Sequence, residues 1–182
     1  MIRIGQSDRC HRALATWLLA AGSAVISILQ AGDLVGLRIN VSPSLPEGLY
    51  LTSRGAQANL VEFCPPEPIG ALAITRGYRG AGTCSDGAAP LLKPVAAKAG
   101  DVVELSAAGI SVNGRLLPQT APLVTDTKGR PLKPWPMGHY FVAPGTIWVA
   151  SSFNPRSFDS RYFGPIRTST VRDHVRPLMT AW

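Results

Sequence analysis

An unbroken stretch without a charged side chain, Ala13 to Gly32, constrains this chain more than any other feature of the sequence. As an α-helix it would be about 30 Å long, which matches the hydrocarbon core of a bilayer. Three arginines and one aspartate precede the stretch, and Asp33 follows it. Under the positive-inside rule this pattern predicts a transmembrane anchor at 13–32, with residues 1–12 in the cytoplasm and residues 33–182 outside.

Two other interpretations of this stretch stay open. A cleaved signal peptide would need a small-residue cleavage site, and the one candidate, Ala20-Ala21-Gly22, falls in the middle of the apolar residues. A helix buried in a soluble core is the second alternative. The length of the stretch favours an uncleaved anchor over both.

Composition favours a domain of turns and short strands after the anchor. The chain has 18 glycines and 16 prolines, and this frequency of turn formers predicts short strands and few long helices. We therefore expect a mainly β, antiparallel domain. The net charge of +7 does not indicate nucleic-acid binding, because the basic residues lie scattered singly without an aromatic-basic module. A solvated surface, or one that faces anionic lipid, explains the charge better.

Local patterns predict individual elements of this domain. Asn113-Gly114 between alternating apolar residues predicts a hairpin, and residues 125–138 predict a proline-rich loop. A short helix is predicted at Ile69–Arg76. The end of the chain predicts a strand at 163–166 and a short helix at 168–175. The first three predicted strands are Val35–Val41, Gly48–Ser53 and Asn59–Phe63.

The cysteine positions agree with an exported domain. Cys10 falls in the predicted cytoplasmic segment, whereas Cys64 and Cys84 fall outside, where disulfides persist. A bond between Cys64 and Cys84 would close a loop of about 20 residues and contribute about 3 kcal/mol. Two unpaired buried thiols are the alternative, since sequence does not determine connectivity. No Cys/His spacing resembles a zinc site and no cofactor motif is present, so neither metal nor cofactor is expected.

Three segments carry residues of chemical interest. The segment from Ser42 to Tyr50 holds two serines between prolines, and proline rigidity presents a hydroxyl in a fixed direction. Lys93 has apolar neighbours on both sides, and a lysine kept from water has a lowered pKa. Asp159 and Arg161, two apart on a predicted strand, would lie on one face and pair. Each feature alone is typical of ordinary turns, half-exposed strands and surface ion pairs.

Taken in order, the segments SPSLPEGLY, LLKPV with the later Gly100-Asp101, and SFDSRYFGP resemble the type I signal peptidase clan. Within that clan, SPSLPEGLY, the cysteine-bounded CPP…GTC and SFDSRYFGPI are most similar to the TraF-type peptidases of conjugative transfer systems. The resemblance covers the chain from about Asp33 onward. It implies a signal-peptidase-like antiparallel β-domain with one N-terminal transmembrane helix.

The resemblance also implies roles for the residues singled out above. Ser44 matches the nucleophile and Lys93 its general base, a serine-lysine dyad that needs no histidine. The backbone N–H of Ser44 and the hydroxyl of Ser42 match the donors that stabilise the oxyanion of acyl transfer. Ser157 matches the residue that holds the lysine.

Asp159 and Arg161 match a pair that braces this last segment. The chain departs from general signal peptidases after the lysine, where Pro94 replaces the usual arginine. The spacing from Ser44 to Pro46 is also one residue shorter than in housekeeping signal peptidases. Ser42 is therefore kept as the second candidate nucleophile.

The implied function is a membrane-anchored serine endopeptidase that processes an exported precursor, with a conjugative pilin as the expected substrate. Cleavage alone, or cleavage with head-to-tail cyclisation, fits one acyl-enzyme. The clan cuts after small residues, so we expect a pocket lined by Ala, Gly and β-branched side chains. The expected location is the bacterial inner membrane, with the peptidase domain in the periplasm beside conjugative transfer or type IV secretion components. A general type I signal peptidase and a non-catalytic scaffold of a transfer apparatus are the alternatives.

Overall fold

A computed structural model describes residues 5–53 and 59–181 of the chain. Within the first helix, the side chains of residues 5–10, 12–13, 25–26, 28–31 and 33 lie outside the description. Short strands separated by turns make up most of the structure. The elements are α1 (Gly5–Leu34), β1 (Leu37–Asn40), β2 (Gly48–Ser53), β3 (Leu60–Phe63), α2 (Ile69–Thr75), β4 (Leu91–Lys98), β5 (Val102–Ser106), β6 (Gly109–Val112), β7 (Arg115–Leu116), β8 (Gly138–Phe141), β9 (Thr146–Val149), α3 (Ser160–Phe163), β10 (Ile166–Arg167), a 3-10 turn (Thr168–Thr170) and β11 (Val171–Thr180).

Helix α1 covers the whole of the predicted anchor segment 13–32. Among the residues that the structure describes, however, no helix is both long enough and apolar enough to cross a membrane. The helical part of the prediction is confirmed. Residues 1–4 of the predicted cytoplasmic segment lie outside the described residues.

Nearly all of the β-structure belongs to the second of two compact units, Ile39–Trp182; the first is Met1–Arg38. Its strands form a seven-stranded sheet in the order β1-β2-β11-β3-β4-β9-β10 and a four-stranded sheet in the order β7-β6-β5-β8. The strand pairs described in both sheets are antiparallel. The expected mainly β, antiparallel domain is thus confirmed.

Strand β9 joins the two hydrophobic cores of this unit. Its Ile147 and Val149 pack into a core with residues of β3, β4 and β10, whereas Trp148 packs into a second core with residues of β5 and β6. Successive side chains of a strand point to opposite faces, so one strand serves both cores. Trp148 is 1% exposed, which makes it a central residue of the second core.

Predictions that rest on local signals are confirmed. Strand β2 spans Gly48–Ser53, and α2 lies within the predicted helix Ile69–Arg76. The Asn113-Gly114 turn joins β6 to β7, with φ of 50° at Asn113 and 82° at Gly114. Positive φ at both central residues is typical of the type I′ turn of a two-residue hairpin, and asparagine and glycine tolerate it best.

The predicted short helix at 168–175 is wrong. Residues from Val171 onward form β11, which pairs with β2 on one side and β3 on the other. A strand between two partners satisfies its backbone donors and acceptors on both edges, and Val175 is fully buried there. Long-range pairing therefore overrides the local pattern.

The predicted strand context of Asp159 and Arg161 is also wrong. The two residues do pair, but Asp159 caps the N-terminus of α3, and its side chain accepts the backbone N–H of Arg161. An aspartate satisfies the free N–H groups of a helix start and so favours this short turn over a strand. The predicted strand at 163–166 is reduced to β10, which begins at Ile166.

The Asp159–Arg161 ion pair is completely buried. Arg161 Nε and Nη2 donate to the two Asp159 carboxylate oxygens at 2.8 and 2.9 Å. Four backbone carbonyls occupy the remaining guanidinium donors, those of Gln119, Ala121, Pro155 and Ser157. Because these carbonyls come from separate loops, one side chain ties the loops to α3.

Breaking this pair is expected to destabilise the domain strongly. Arg161→Met leaves a carboxylate buried without its partner, so the free energy of unfolding should fall by about 3–5 kcal/mol in urea titrations. Asp159→Leu combined with Arg161→Met should cost less than the sum of the two single changes, because no lone charge remains buried. Arg130→Met is the control: the Arg130 side chain is 32% exposed, and the loss should be smaller. Strict additivity in the double variant would contradict the expectation.

Cys64 and Cys84 are bonded to each other, as the sequence predicted. The bond closes the loop that contains α2. From within this loop the buried Arg79 donates to both Asp86 carboxylate oxygens and to the Ala89 carbonyl, which lie just beyond Cys84. The cysteine-bounded segment is therefore tied to the residues that follow it by these hydrogen bonds in addition to the covalent link.

Reduction of the bond is expected to lower stability without unfolding the domain outright. The loss should be about 3 kcal/mol, because the reduced chain regains the entropy of a loop of about 20 residues when it unfolds. Urea titration of Cys64→Ser/Cys84→Ser against wild type measures the difference, and Cys10→Ser is the matched control. Equal stability of the double variant and the wild type would refute this expectation.

Candidate active site

The loop between β1 and β2 presents Ser42 and Ser44, and Asn40 shapes it. The buried Asn40 amide donates to the carbonyls of Ser42, Leu45 and Pro46 at 3.0, 3.3 and 3.1 Å. Its Oδ1 accepts the Ser42 N–H at 3.1 Å, which is an Asx turn. One side chain thus holds the backbone on both sides of Ser44. Sequence reasoning missed Asn40, although an asparagine at the start of a proline-bounded turn is the available signal.

Ser44 and Lys93 come into direct contact. Lys93 Nζ lies 2.5 Å from Ser44 Oγ and donates to Ser157 Oγ at 3.0 Å. Lys93 sits on β4 opposite Val61 of β3 and is 3% exposed, while Ser44 is 7% exposed. The fold therefore brings together three residues that are far apart in the sequence, all of them predicted site residues.

Burial lowers the pKa of Lys93 to about 8. The cause is desolvation, since an ammonium group removed from water loses hydration that its neighbours only partly replace. The negative charge of Asp159 acts in the opposite direction, and the positive charge of Arg161 lowers the pKa further. At mildly basic pH a large fraction of this amine is neutral and can accept a proton.

Ser42 lies beside Ser44, as predicted. The Ser42 hydroxyl donates to Ser44 Oγ at 3.2 Å, and the Ser44 N–H points to Ser42 Oγ at 3.4 Å. The Ser42 hydroxyl and the Ser44 N–H thus lie side by side and provide two donors close to Ser44 Oγ. This geometry suits stabilisation of negative charge that develops near Ser44.

The buried ion pair positions two serines around the Ser44–Lys93 contact. Arg161 donates to the Ser157 carbonyl at 2.9 Å, and Asp159 accepts the Ser151 N–H at 3.1 Å. Ser151, which is fully buried, donates its hydroxyl to the Ser44 carbonyl at 2.5 Å. Asp159 and Arg161 therefore act through the backbone: they hold Ser157, which contacts Lys93, and Ser151, which contacts Ser44.

Ser151 and Asn154 are site residues that sequence reasoning missed. The Asn154 amide donates to the Pro43 carbonyl at 3.1 Å, so the 151–157 segment is attached to the Ser44 loop at two points. Neither residue belongs to a recognisable spacing with Ser44, from which it is separated by more than a hundred positions. Only the pairing of strands places them together.

A cleft of about 190 Å³ opens beside Ser44 and Lys93. The expectation of a lining of Ala, Gly and β-branched side chains is wrong, because among the described residues the lining contains no Ala or Gly and its β-branched residues are Thr125 and Thr127 alone. The lining residues are Ser42, Pro43, Ser44, Tyr78, Leu91, Lys93, Leu123, Thr125, Asp126, Thr127, Leu132, Arg156, Phe158 and Tyr162.

The far wall of the cleft is rigid around Asp126. Tyr78 donates its hydroxyl to Asp126 Oδ2 at 2.7 Å, and Arg130 Nε donates to the same oxygen at 2.6 Å. The backbone N–H groups of Lys128 and Arg130 donate to Oδ1. Burial alone would raise the pKa of Asp126, but these hydrogen bonds hold that pKa well below its usual range. Asp126 is thereby a structural anion of the wall.

Within the described part of the chain, no group of three His, Cys, Asp or Glu side chains is arranged to hold a metal ion. The polar groups next to Ser44 are hydroxyls, backbone amides and one amine. Such a set is suited to proton transfer and to stabilisation of an oxyanion.

Comparison with known proteins agrees with this chemistry. The signal peptidase family, peptidase S26, matches residues 10–179. A plasmid transfer protein TraF from Escherichia coli is 37% identical over 177 residues, which cover 95% of this chain and 99% of that protein. A conjugal transfer protein TraF from Agrobacterium tumefaciens is 37% identical over 175 residues, which cover 93% of this chain and 97% of that protein.

A crystal structure of a signal peptidase I from Enterococcus faecalis aligns with 68% of this chain and 97% of its own, at 16% identity and a TM-score of 0.36. No conclusion is drawn from a likeness at that level. The family assignment rests on two other findings. The peptidase family matches most of the length of the chain, and the TraF proteins share more than a third of its residues. This chain belongs to the signal peptidase family, peptidase S26, and is a homologue of the TraF proteins of conjugal transfer.

Proposed function

We propose that this protein is a serine endopeptidase that cleaves an exported precursor of a conjugative transfer system, with Ser44 as nucleophile and Lys93 as general base. The observation that carries the proposal is the 2.5 Å contact between the buried Lys93 amine and Ser44 Oγ. A serine hydroxyl is a weak nucleophile unless an adjacent base accepts its proton, and the lowered pKa makes this amine such a base.

The chemistry follows from the groups around Ser44. Neutral Lys93 accepts the hydroxyl proton of Ser44 while Oγ forms a bond to the substrate carbonyl carbon. The oxyanion that results is stabilised by the Ser44 N–H and by the hydroxyl of Ser42. The Lys93 ammonium then gives its proton to the leaving amine, the peptide bond breaks, and an acyl-enzyme remains on Oγ.

Ser157 orients the base during these steps. Its Oγ accepts one Lys93 N–H at 3.0 Å, which leaves the amine lone pair directed at the Ser44 hydroxyl. Ser157 is 2% exposed, so water does not compete for this bond. The arrangement needs no histidine and no metal ligand.

Two second nucleophiles can complete the reaction. Water would release a trimmed product, whereas the amino terminus of the same substrate chain would release a cyclic product from the same acyl-enzyme. The relatives named for plasmid and conjugal transfer support a precursor from such a system, with a pilin as the proposed substrate. The Cys64–Cys84 bond supports action outside the cytoplasm, where disulfides persist.

Removal of either dyad residue is expected to abolish processing without unfolding the protein. Ser44→Ala and Lys93→Ala should each lower the rate by at least about 10³-fold, because each removes one half of the nucleophile-base unit. Lys93→Arg should fail equally, since a guanidinium stays protonated. The readout is the intact mass of the exported pilin precursor of the same transfer system, co-expressed with each variant.

Matched controls separate chemistry from folding. Lys98→Ala changes an exposed lysine of the same strand, β4, and Ser111→Ala changes a serine of the four-stranded sheet. Both should process at the wild-type rate. Full processing by Lys93→Ala would overturn the proposal, and loss of activity in Ser42→Ala but not Ser44→Ala would transfer the nucleophile to Ser42. A product lighter than the trimmed peptide by one water would identify cyclisation.

Activity is expected to rise with pH through about 8. The base must be neutral, and below the pKa of Lys93 the neutral fraction falls about tenfold for each pH unit. A profile of kcat/KM between pH 6 and 9.5 for wild type and Lys98→Ala measures this dependence. Both should give half-maximal values near pH 8, and a flat profile from pH 6 to 8 would exclude Lys93 as the base.

A further inference from the structure

Three charged side chains line the cleft within the described part of the chain: Lys93, Asp126 and Arg156. Lys93 contacts Ser44 and Ser157. Asp126 accepts four hydrogen bonds from its own wall, so both of its oxygens are satisfied. The Arg156 guanidinium has no hydrogen-bond, ion-pair or ring partner among the described residues. It is therefore the charged group of the cleft that remains available to a substrate.

The backbone that carries Arg156 is fixed, although its side chain is exposed. The Arg156 N–H donates to Asn154 Oδ1 at 2.8 Å, and the Asn154 amide donates to the Pro43 carbonyl in the Ser44 loop. On either side, the carbonyls of Pro155 and Ser157 accept from the buried Arg161 guanidinium. The guanidinium of Arg156 thus extends from a platform that is tied both to the nucleophile loop and to the buried ion pair.

From this geometry we infer that Arg156 is a specificity-determining residue that binds a carboxylate of the substrate close to the scissile bond. The inference rests on the proposed function, because it concerns the peptide that Ser44 would cleave. A guanidinium matches a carboxylate with two parallel N–H donors, and a peptide in the cleft would shield the pair from water. Arg156 directly precedes Ser157, the hydrogen-bond partner of Lys93, so the carboxylate lies within a few residues of the cleavage point.

Peptide carboxylates have two sources, an acidic side chain and a free carboxyl terminus. The probe is a set of quenched fluorescent peptides with an Ala-Ala core, in which each position within three residues of the core carries Asp or Asn in turn. Each peptide is made with a free or an amidated carboxyl terminus. A preference for Asp over Asn in amidated peptides identifies a side chain, and a preference for the free terminus in Asn peptides identifies a terminal carboxylate.

For wild type we expect one carboxylate position to raise kcat/KM about tenfold over its neutral counterpart, the scale of one charge-assisted hydrogen-bonded pair. Arg156→Ala should bring this ratio to about one. Arg156→Lys should restore part of it, and Arg156→Glu should favour a Lys peptide over the Asp peptide. Arg167→Ala, an exposed arginine at the end of β10 and outside the cleft lining, is the matched control and should keep the wild-type ratio.

Binding of the same peptides to Ser44→Ala, followed by fluorescence anisotropy, tests recognition separately from chemistry. A carboxylate preference in binding that disappears in Ser44→Ala/Arg156→Ala supports the inference even if wild type cleaves none of the peptides, a result that would count against the proposed function instead. Cleavage without any carboxylate preference, a preference that survives Arg156→Ala, or an absence of carboxylate-dependent binding overturns the inference and leaves the dyad proposal standing.

Discussion

The removal of the Lys93 amine from water is the constraint on which the rest of the site depends. An ammonium group buried without a carboxylate in direct contact is unfavourable, and this is the cause of its lowered pKa. The fold makes the burial possible: Lys93 lies opposite Val61 of β3, and Ser44 and Ser157 lie against its amine. The hydroxyls of Ser44 and Ser157 are hydrogen-bond partners of the amine, but being neutral they do not stabilise its protonated form as a carboxylate does. A carboxylate in their place would have raised the pKa and kept the lysine protonated.

The Asp159–Arg161 pair contributes to the site through backbone geometry. The two charges neutralise each other. In addition, the Asp159 carboxylate accepts the Ser151 N–H, and the Arg161 guanidinium donates to the Ser157 carbonyl. The Ser151 hydroxyl in turn holds the carbonyl of Ser44. A buried ion pair is weak support for stability by itself, but here it fixes the backbone of the segment that carries Ser151 and Ser157.

The cleft wall shows how the disulfide loop takes part in the site without contributing a reacting group. Tyr78 belongs to the loop closed by Cys64 and Cys84. Its hydroxyl donates to Asp126, which lies much later in the sequence. Arg130 reinforces the same wall, since it donates to Asp126 and to the Arg76 carbonyl. The disulfide bond and the hydrogen bonds to Asp126 thus make this wall of the cleft rigid, although the described hydrophobic cores do not extend to it. The remaining charged side chain of the cleft lining is that of Arg156.

Sequence alone determined the features that depend on neighbours along the chain. The Asn113-Gly114 hairpin, strand β2 and helix α2 follow from turn chemistry and short-range periodicity, and three motifs in order placed Ser44, Lys93 and Ser157 in one family of sites. Tertiary structure decided what depends on distant partners. It made residues 171–180 a strand because β2 and β3 lie on either side, and it placed Asp159 at a helix start. Ser151 and Asn154 join the site through hydrogen bonds to backbone atoms of a distant loop, which leave no residue pattern in the sequence, because any chain segment can offer a carbonyl and only the fold determines which one is near.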